Sequence, residues 1–352
     1  MPSLHVGLVY GGLSSEHDIS IRSARNVRRA LGSRHRVTPI YISRDGTWHI
    51  APDRELSDQP SAMRPLLAAP MQGTCTVVAG GDTLDALDLD VVFPILHGQN
   101  GEDGRVQGFL QTLGLPFVGP DALASAVCMD KDVAKRLLAA EGLPVTPSRT
   151  LRPGDLLAYA EAVEALGSPL FVKPANSGSS VGVTKVERET DWEEALAHAF
   201  EYDRKVLVET AISGREIECA VLGNERPEAS HPGEIVSTAQ FYTYDAKYED
   251  PDASRMEVPA DLPPEAAEAI RQLAVRACVA LGCEGMARVD VFYTADGEVL
   301  INEINTIPGF TDKSMYPVMW AHSGLDNEGL VDRLLQLAVD RHTRDAAIKT
   351  TR

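Results

Sequence analysis

No stretch of this chain reaches the roughly 18 consecutive apolar residues that a membrane-spanning helix needs. The short apolar run over 4–10 leads straight into Gly11 and Gly12, so it does not read as the core of a signal peptide. Cysteine is sparse: Cys75, Cys128, Cys219, Cys278 and Cys283 form no C-x-x-C pair, and none has a histidine at zinc-finger spacing. They read as reduced structural thiols of a cytoplasmic protein. Positive charge is also in deficit. A formal net charge of -18 repels phosphate backbones and anionic lipid, which argues against nucleic acid or a membrane surface as partner. One nucleotide stays admissible, because a few local cations suffice to hold it. Internal repeats, low-complexity tracts, the P-loop pattern and the full dinucleotide glycine spacing are all missing.

What is present fits a globular chain of several domains. At 352 residues, 44% of them hydrophobic and 24% charged, disorder is excluded and two or three compact units are expected. Leu4–Tyr10 reads as a strand, Gly11-Gly12 as a turn, and Ser14 or Ser15 as the cap of a following helix, with Asp18 near the capping-box position. Val37–Ile42 and Val91–Leu96 read as further buried strands. The strand–helix alternation predicts a parallel α/β sheet. The stretch 51–73, or more widely 44–75, reads as loop or insertion. Gly114–Pro120 marks a boundary. Beyond it a helix over Asp130–Glu141, strands at Leu170–Val172, Gly182–Val186 and Lys205–Val208, and a helix over Asp191–Phe200 form a second unit. From Glu209 a third unit carries a polar loop (237–255), a helix (264–281), a hairpin (286–305) and a final helix (325–341).

The hairpin is the most informative segment. Asp296-Gly297 is a dipeptide favoured in two-residue turns, where both central residues need positive φ. That turn would oppose Ala295 to Glu298, Asp290 to Glu303 and Arg288 to Asn305, with Arg288, Asp290, Glu303 and Asn305 on one face. Two directly opposed carboxylates destabilise a sheet, and a divalent cation removes the penalty. The oxygen set suits Mg²⁺, which takes one or two carboxylates and leaves room for phosphates. A solvated polar face is the plain alternative. Lys173 ends an apolar strand and enters a Gly/Ser loop, Ala175 to Gly182, whose backbone N–H groups can cradle an anion. A flexible loop is the other reading. Lys131 is a second candidate cation or an exposed helix lysine. Glu209 and Glu216 are either hydrogen-bond acceptors for a nucleotide or surface carboxylates.

Seven segments occur in the order found in one family: Gly11–Ser20 (GGLSSEHDIS), His97–Gly104 (HGQNGEDG), Met129-Asp130-Lys131, Phe171–Pro174, Gly178–Gly182 (GSSVG), Phe241–Tyr248 (FYTYDAKY), and Arg288-Val289-Asp290 with Asn302–Thr311 (NEINTIPGFT). In this the chain resembles the D-alanine–D-alanine ligases of the ATP-grasp superfamily over nearly its whole length. The resemblance implies an α/β (α+β ATP-grasp) fold: an N-terminal parallel α/β, Rossmann-like domain over 1–120, a central ATP-grasp subdomain over 121–208, and a C-terminal one over 209–352 with the metal and substrate sites. It implies ligation of two D-alanine molecules through a D-alanyl phosphate, using ATP and two Mg²⁺ (Mn²⁺ as a substitute), for peptidoglycan precursor synthesis in the cytoplasm.

By the same resemblance Lys131, Lys173 and Ser180 bind ATP phosphates, and Lys247 reaches the γ-phosphate. Glu209 and Glu216 hold adenine-side and ribose groups. Asp290, Glu303 and Asn305 bind metal. Glu16 pairs with the ammonium of the first D-alanine, and His97 lies near that substrate's carboxylate. Ser179 and Tyr248 link to Glu16 and close a lid over about 240–255. Arg288 and the Gly309 N–H stabilise the oxyanion, and Ser314 binds the second D-alanine. A homodimer is a further family expectation. Asp312-Lys313 departs from some relatives and bears on the geometry of Ser314. The rivals are a D-alanine–D-lactate ligase, which Tyr248 argues against, and a silent nucleotide-binding regulator, which the retained Arg288, lysines and metal ligands argue against. A Rossmann dehydrogenase is a third.

Overall fold

In a computed structural model of the chain, residues 2–51, 56, 63–71, 74–79, 85–237 and 254–349 are described. Three sheets follow one another. The first takes β1 (His5–Gly11), β2 (Arg36–Ile42), β3 (Trp48–Ile50), β4 (Arg64–Met71), β5 (Thr74–Ala79), β6 (Asp85–Leu87) and β7 (Val91–Pro94), in the order β6-β5-β4-β3-β2-β1-β7. Helix α1 (His17–Leu31) is the crossover between β1 and β2.

Strands β7, β1 and β2 pair in parallel. From β2 to β6 the pairings are antiparallel, so the parallel sheet expected here is the β7-β1-β2 part of a mixed one. Among the described residues no helix separates these strands, and a short connection can return a strand only antiparallel. The stretch read as loop also holds strand β4. Pro65 and Pro70 disguised it, since proline weakens any strand reading, yet β4 finds partners on both sides in β3 and β5. The start of α1 differs as well. Glu16 occupies its N-cap without a side-chain cap bond. Ser14 Oγ instead accepts from the Glu16 N–H (3.2 Å) and donates to the His97 carbonyl (2.6 Å), tying helix entry to a distant loop.

Helices α2 (Arg105–Thr112), α3 (Ala122–Met129) and α4 (Lys131–Ala140) lead to the second sheet. It comprises β8 (Ser148–Leu151), β9 (Leu170–Pro174), β10 (Thr184–Val186) and β11 (Val206–Thr210), ordered β10-β9-β11-β8, with α5 (Tyr159–Leu166) and α6 (Trp192–Tyr202) packed beside it. Asp130 caps α4 by accepting from the Val133 N–H, which fixes Lys131 as the first helical residue.

The third sheet holds β12 (Gly214–Gly223), β13 (Glu228–Ala229), β14 (Gly233–Ser237), β15 (Ser254–Glu257), β16 (Gly285–Thr294) and β17 (Val299–Asn305), ordered β15-β14-β12-β16-β17 with β13 on β12. One face of β12 and β16 (Ile217, Cys219, Val221, Ala287, Val289, Val291) packs on α7 (Pro264–Ala280). The opposite face is apolar at Ala220, Leu222 and Met286, where it joins the N-terminal core together with α8 (Met315–His322) and α9 (Asn327–Ala346). Further along, the same face turns charged at Glu218, Arg288 and Asp290. That change of character marks where a core ends and a site begins. Cys128, Cys219, Cys278 and Cys283 are buried and free, as expected of structural thiols.

Candidate active site between the second and third sheets

The β16–β17 hairpin opposes Asp290 to Glu303 and Arg288 to Asn305, as the sequence reading required. The route differs. The Thr294 N–H donates to Glu298 O (2.9 Å) and the Gly297 N–H to Thr294 O (3.1 Å), so the turn contains three residues, Ala295, Asp296 and Gly297. Gly297 sits at φ +84, the left-handed position such a turn needs. Ala295 therefore does not face Glu298, a correction to the expected two-residue turn. A bulge then restores the register. Val291 faces Ile301 while Asp290 faces Glu303, which leaves Asn302 as the extra residue. A bulge re-aims side chains. Ile301 and Ile304 both reach the core, and Asn302 and Glu303 stand half-buried between them.

Arg288 is the hub of this face. Its guanidinium forks onto Asp290, Nε to Oδ1 and Nη2 to Oδ2, each at 2.7 Å, and Nε lies 3.0 Å from Glu218 Oε2. Burial opposes the charge, but Asp290 and Glu218 outweigh it and raise the Arg288 pKa well above its ordinary value. The Asn305 amide donates to Asp290 Oδ2 at 2.9 Å. Across the cleft, Lys131 Nζ stands 3.3 Å from Glu303 Oε2 and donates to Ser177 O at 2.6 Å. Lys173 Nζ lies 2.6 Å from Glu209 Oε2 and donates to Asn302 Oδ1 at 3.3 Å. The bulge residue is thus the one that meets the strand-end lysine.

Glu209 is buried between two ammonium groups, the second being Lys135 at 2.9 Å. Burial alone would raise its pKa; Lys173 and Lys135 together hold it below the ordinary range, so it stays ionised. Lys135 in turn is pushed down to about 8 by burial, with Glu209 resisting. Glu216 lies exposed two residues outward of Glu218 on β12, and the alternation of the strand places both on the charged face.

The Gly/Ser loop carries two consecutive non-glycine residues in the left-handed region, Ser179 (φ 50) and Ser180 (φ 59). Such strain persists where surrounding contacts hold it, and it concentrates at functional sites. Here the hold is visible: Ser179 Oγ donates to Glu16 Oε1 at 2.6 Å. Glu16 in turn lies against glycine backbone. A Cβ built on Gly98 (φ +73) would stand 3.0 Å from its Oε2, and one on Gly178 would stand 3.5 Å away. Near these groups Glu102 accepts from the Gly98 N–H at 3.0 Å. Its pKa is pushed up to about 8, by burial first and by the Glu16 carboxylate second. Glu102, Lys131, Ser177, Gly178, Glu303 and Asn305 line one cleft.

His97 is buried and uses both ring nitrogens on protein, Nδ1 with Ile307 O and Nε2 with Ser23 Oγ, each at 3.0 Å. Ser314 begins α8, and its Oγ accepts from the Thr311 N–H at 2.9 Å. A Cβ on Gly309 would approach that oxygen to 3.0 Å, so the loop and the serine are in close contact. Lys247, Tyr248 and the expected lid lie outside the described residues. The sequence reading missed Lys135, Glu218 and Asn302 as site residues. Lys135 had a signal, four residues from Lys131 on one helix face, and Glu218 alternates with Glu216. Asn302 had none, because its role depends on the bulge.

The donor set was tested against a divalent cation. Among the described residues no group of three or more His, Cys, Asp or Glu is placed to hold a metal ion by itself. Two carboxylates and an amide on one face, beside two lysines, match the sparse protein ligation of Mg²⁺, which completes its shell with water and phosphate oxygens. The residues therefore fit.

Comparison with known proteins agrees. The profile described as the N-terminus of D-ala D-ala ligase matches residues 5–120, and that of its C-terminus matches 137–336. The chain is 49% identical to D-alanine–D-alanine ligase A of Salmonella typhimurium and 50% to that of Escherichia coli K12, with all of each chain covered. Among solved structures it resembles the D-alanine–D-alanine ligase of Coxiella burnetii (TM-score 0.86, 38% identity, 98% and 97% of the two chains). It also resembles the VanG D-Ala:D-Ser ligase of Enterococcus faecalis (TM-score 0.87, 36% identity, 96% and 99%). This chain belongs to the D-alanine–D-alanine ligase family of ATP-dependent ligases.

Proposed function

We propose that the chain joins two D-alanine molecules into D-alanyl-D-alanine, using ATP to activate the first carboxylate as an acyl phosphate. The observation that carries this reading is the meeting of Lys131 and Lys173 with the Arg288, Asp290 and Glu303 face, with the Glu16–Ser179 pair bordering the same cleft. Cations gathered opposite carboxylates can hold a triphosphate, and phosphoryl transfer needs positioning and charge neutralisation more than covalent chemistry.

In this reading Lys131, Lys173, Ser180 and Lys247 hold the phosphates. Glu209, kept ionised by two lysines, and Glu216, further out, accept from the adenine side and the ribose. Asp290, Glu303 and Asn305 would hold two Mg²⁺ ions, which supply charge neutralisation to the phosphates when bound. Glu16 takes the ammonium of the first D-alanine beside the His97-Gly98 turn. The acyl phosphate carbonyl then meets Arg288 and the Gly309 N–H. The second amine, its carboxylate held near Ser314, attacks that carbonyl, and phosphate leaves. Tyr248 completes the Glu16–Ser179 link when the lid closes. The three units (1–120, 121–208 and 209–352), a homodimer and a cytoplasmic location belong to the same proposal. Four buried free thiols support the location, and no described helix is long and apolar enough to cross a membrane.

The test is incubation with ATP, Mg²⁺ and D-alanine, with mass detection of the dipeptide and a count of phosphate released. D-Lactate and D-serine are offered in competition. One phosphate per D-alanyl-D-alanine is expected. A depsipeptide or mixed dipeptide as main product, or ATP turnover indifferent to D-alanine, overturns the reading.

A further inference from the structure

Helix α1, in the N-terminal unit, reaches across nearly the whole sequence to hold the loop after β17. Ser23 and Asn26 lie one turn apart on α1 and both are buried. Ser23 Oγ accepts from the Phe310 N–H at 3.2 Å, and the Asn26 amide donates to the Phe310 carbonyl at 2.9 Å. One residue of the loop is thus gripped by both its backbone groups. On the other side, the Ile307 carbonyl can only accept, so His97 Nδ1 carries the proton of their 3.0 Å bond. In the neutral ring Nε2 is then an acceptor, and the Ser23 hydroxyl donates to it at 3.0 Å. Asn327, at the start of α9, donates to Asn26 Oδ1 at 3.3 Å and fixes which way that amide faces.

These bonds form a closed set. Ser23 donates to His97, His97 donates to Ile307 O, and the Phe310 N–H returns to Ser23. Between the two anchored positions lie Pro308 and Gly309. Pro308 has no N–H to offer, and that of Phe310 is taken by Ser23. The remaining N–H between the anchored positions is Gly309's. Burial agrees: Thr306, Ile307, Pro308 and Phe310 are buried, while Gly309 alone in this stretch keeps accessible surface. The Phe310 ring, fully buried against Phe93 and Tyr316, prevents the segment from rolling.

We propose that Ser23, Asn26 and His97 form a positioning clamp that aims the Gly309 N–H at the reacting carbonyl, so that the N-terminal unit sets the oxyanion geometry of the C-terminal one. The inference rests on the ligase reading for the role of Gly309. The clamp residues are positioning residues: they touch the loop and not the reacting atoms. Misdirection of a donor by about 1 Å costs on the order of 10²-fold in rate. The loss falls on one step. Phosphorylation of the first carboxylate develops no charge on the carbonyl oxygen, whereas attack by the second amine does. With the donor misaimed, the acyl phosphate still forms and amine attack slows, while water cleaves the P–O bond by attack at phosphorus, which develops no charge on the carbonyl oxygen and returns D-alanine and free phosphate.

The test compares Ser23→Ala and Asn26→Asp with the wild-type chain under saturating ATP, Mg²⁺ and D-alanine, reading dipeptide, phosphate and melting temperature together. Dipeptide formation is expected to fall on the order of 10²-fold, with phosphate released per dipeptide rising from about one to several. A merely structural role would lower both products in step and leave their ratio at about one; that result, in a variant that melts cooperatively, overturns the clamp. So does an unchanged rate of dipeptide formation. If Ser23→Ala does not fold, Asn26→Asp keeps side-chain size and carries the test alone. Failure of the ligase reading is separable, because the wild-type chain would then make no dipeptide, and the clamp falls with it.

Discussion

Asp290 lies directly opposite Glu303 across β16 and β17, and the bulge that makes this so places Asn302 against Lys173. Like charges opposed on a sheet are unfavourable; here Arg288 holds one carboxylate and Lys131 the other. Asp290→Asn should therefore leave folding nearly intact, since Arg288 keeps Glu218 at 3.0 Å, while the Mg²⁺ concentration for half-maximal activity rises by roughly tenfold or more, about 1.4 kcal/mol of lost affinity. Titrating activity against Mg²⁺ beside a thermal melt checks it. A collapsed melt with unchanged Mg²⁺ response would remove Asp290 from the metal site.

Ser179 combines a hydrogen bond to Glu16 with a strained backbone, φ 50. A bond to a charged group contributes about 1.5–3 kcal/mol, so Ser179→Ala should raise KM for D-alanine roughly 10–100-fold and leave KM for ATP within a few fold. Ser179→Gly loses the same bond yet tolerates the left-handed conformation. It should melt higher than the alanine variant while sharing its kinetic defect. Equal melting temperatures would mean that the loop stores no strain there.

Glu102 makes a pH signature. Its carboxyl is raised from 4.5 to about 8 by burial and by Glu16. Between those values the folded protein keeps a proton that the unfolded chain has released, so stability falls as pH rises through the window. Glu102→Gln keeps the acceptor for the Gly98 N–H and abolishes the titration. Its melting temperature should exceed the wild type's at pH 8.5, by about 2–4 °C for each kcal/mol, and match it near pH 4. Parallel melting curves across that range would refute the assignment.

Lys135 touches no proposed substrate group, yet it holds Glu209 at 2.9 Å and donates to Thr146 O at 3.1 Å. Removing one partner from a buried pair costs about 3–5 kcal/mol when the other charge is stranded. Lys173 still serves Glu209, so Lys135→Met should lose roughly 2–3 kcal/mol by the same argument, with KM for ATP rising and KM for D-alanine unmoved. Denaturant unfolding and initial rates decide it; an equal rise in both KM values would assign Lys135 to the cleft as a whole.

Much of this site was legible beforehand because its chemistry is local. Lys131 after a capping aspartate, Lys173 at the end of an apolar run, and a period-2 array at 288–290 and 303–305 are patterns of adjacent residues. The hairpin shows the limit. The expected two-residue turn was wrong by one residue, the bulge at Asn302 was unforeseen, and the two offsets cancel to give the expected pairs. Strand β4 was hidden by its prolines, because a strand is defined by partners that its own sequence does not contain.

The sequence by itself determined the hairpin, the apolar strand that leads to Lys173, the family, and which charged residues of the hairpin share a face, since backbone periodicity is set by neighbours along the chain. Only the tertiary structure decided that Lys135 shares Glu209 with Lys173, and that Ser23 and Asn26 hold Phe310. Those contacts join residues far apart in sequence. They form only when the packing of buried apolar faces has fixed where each unit stands, and no local pattern encodes that placement.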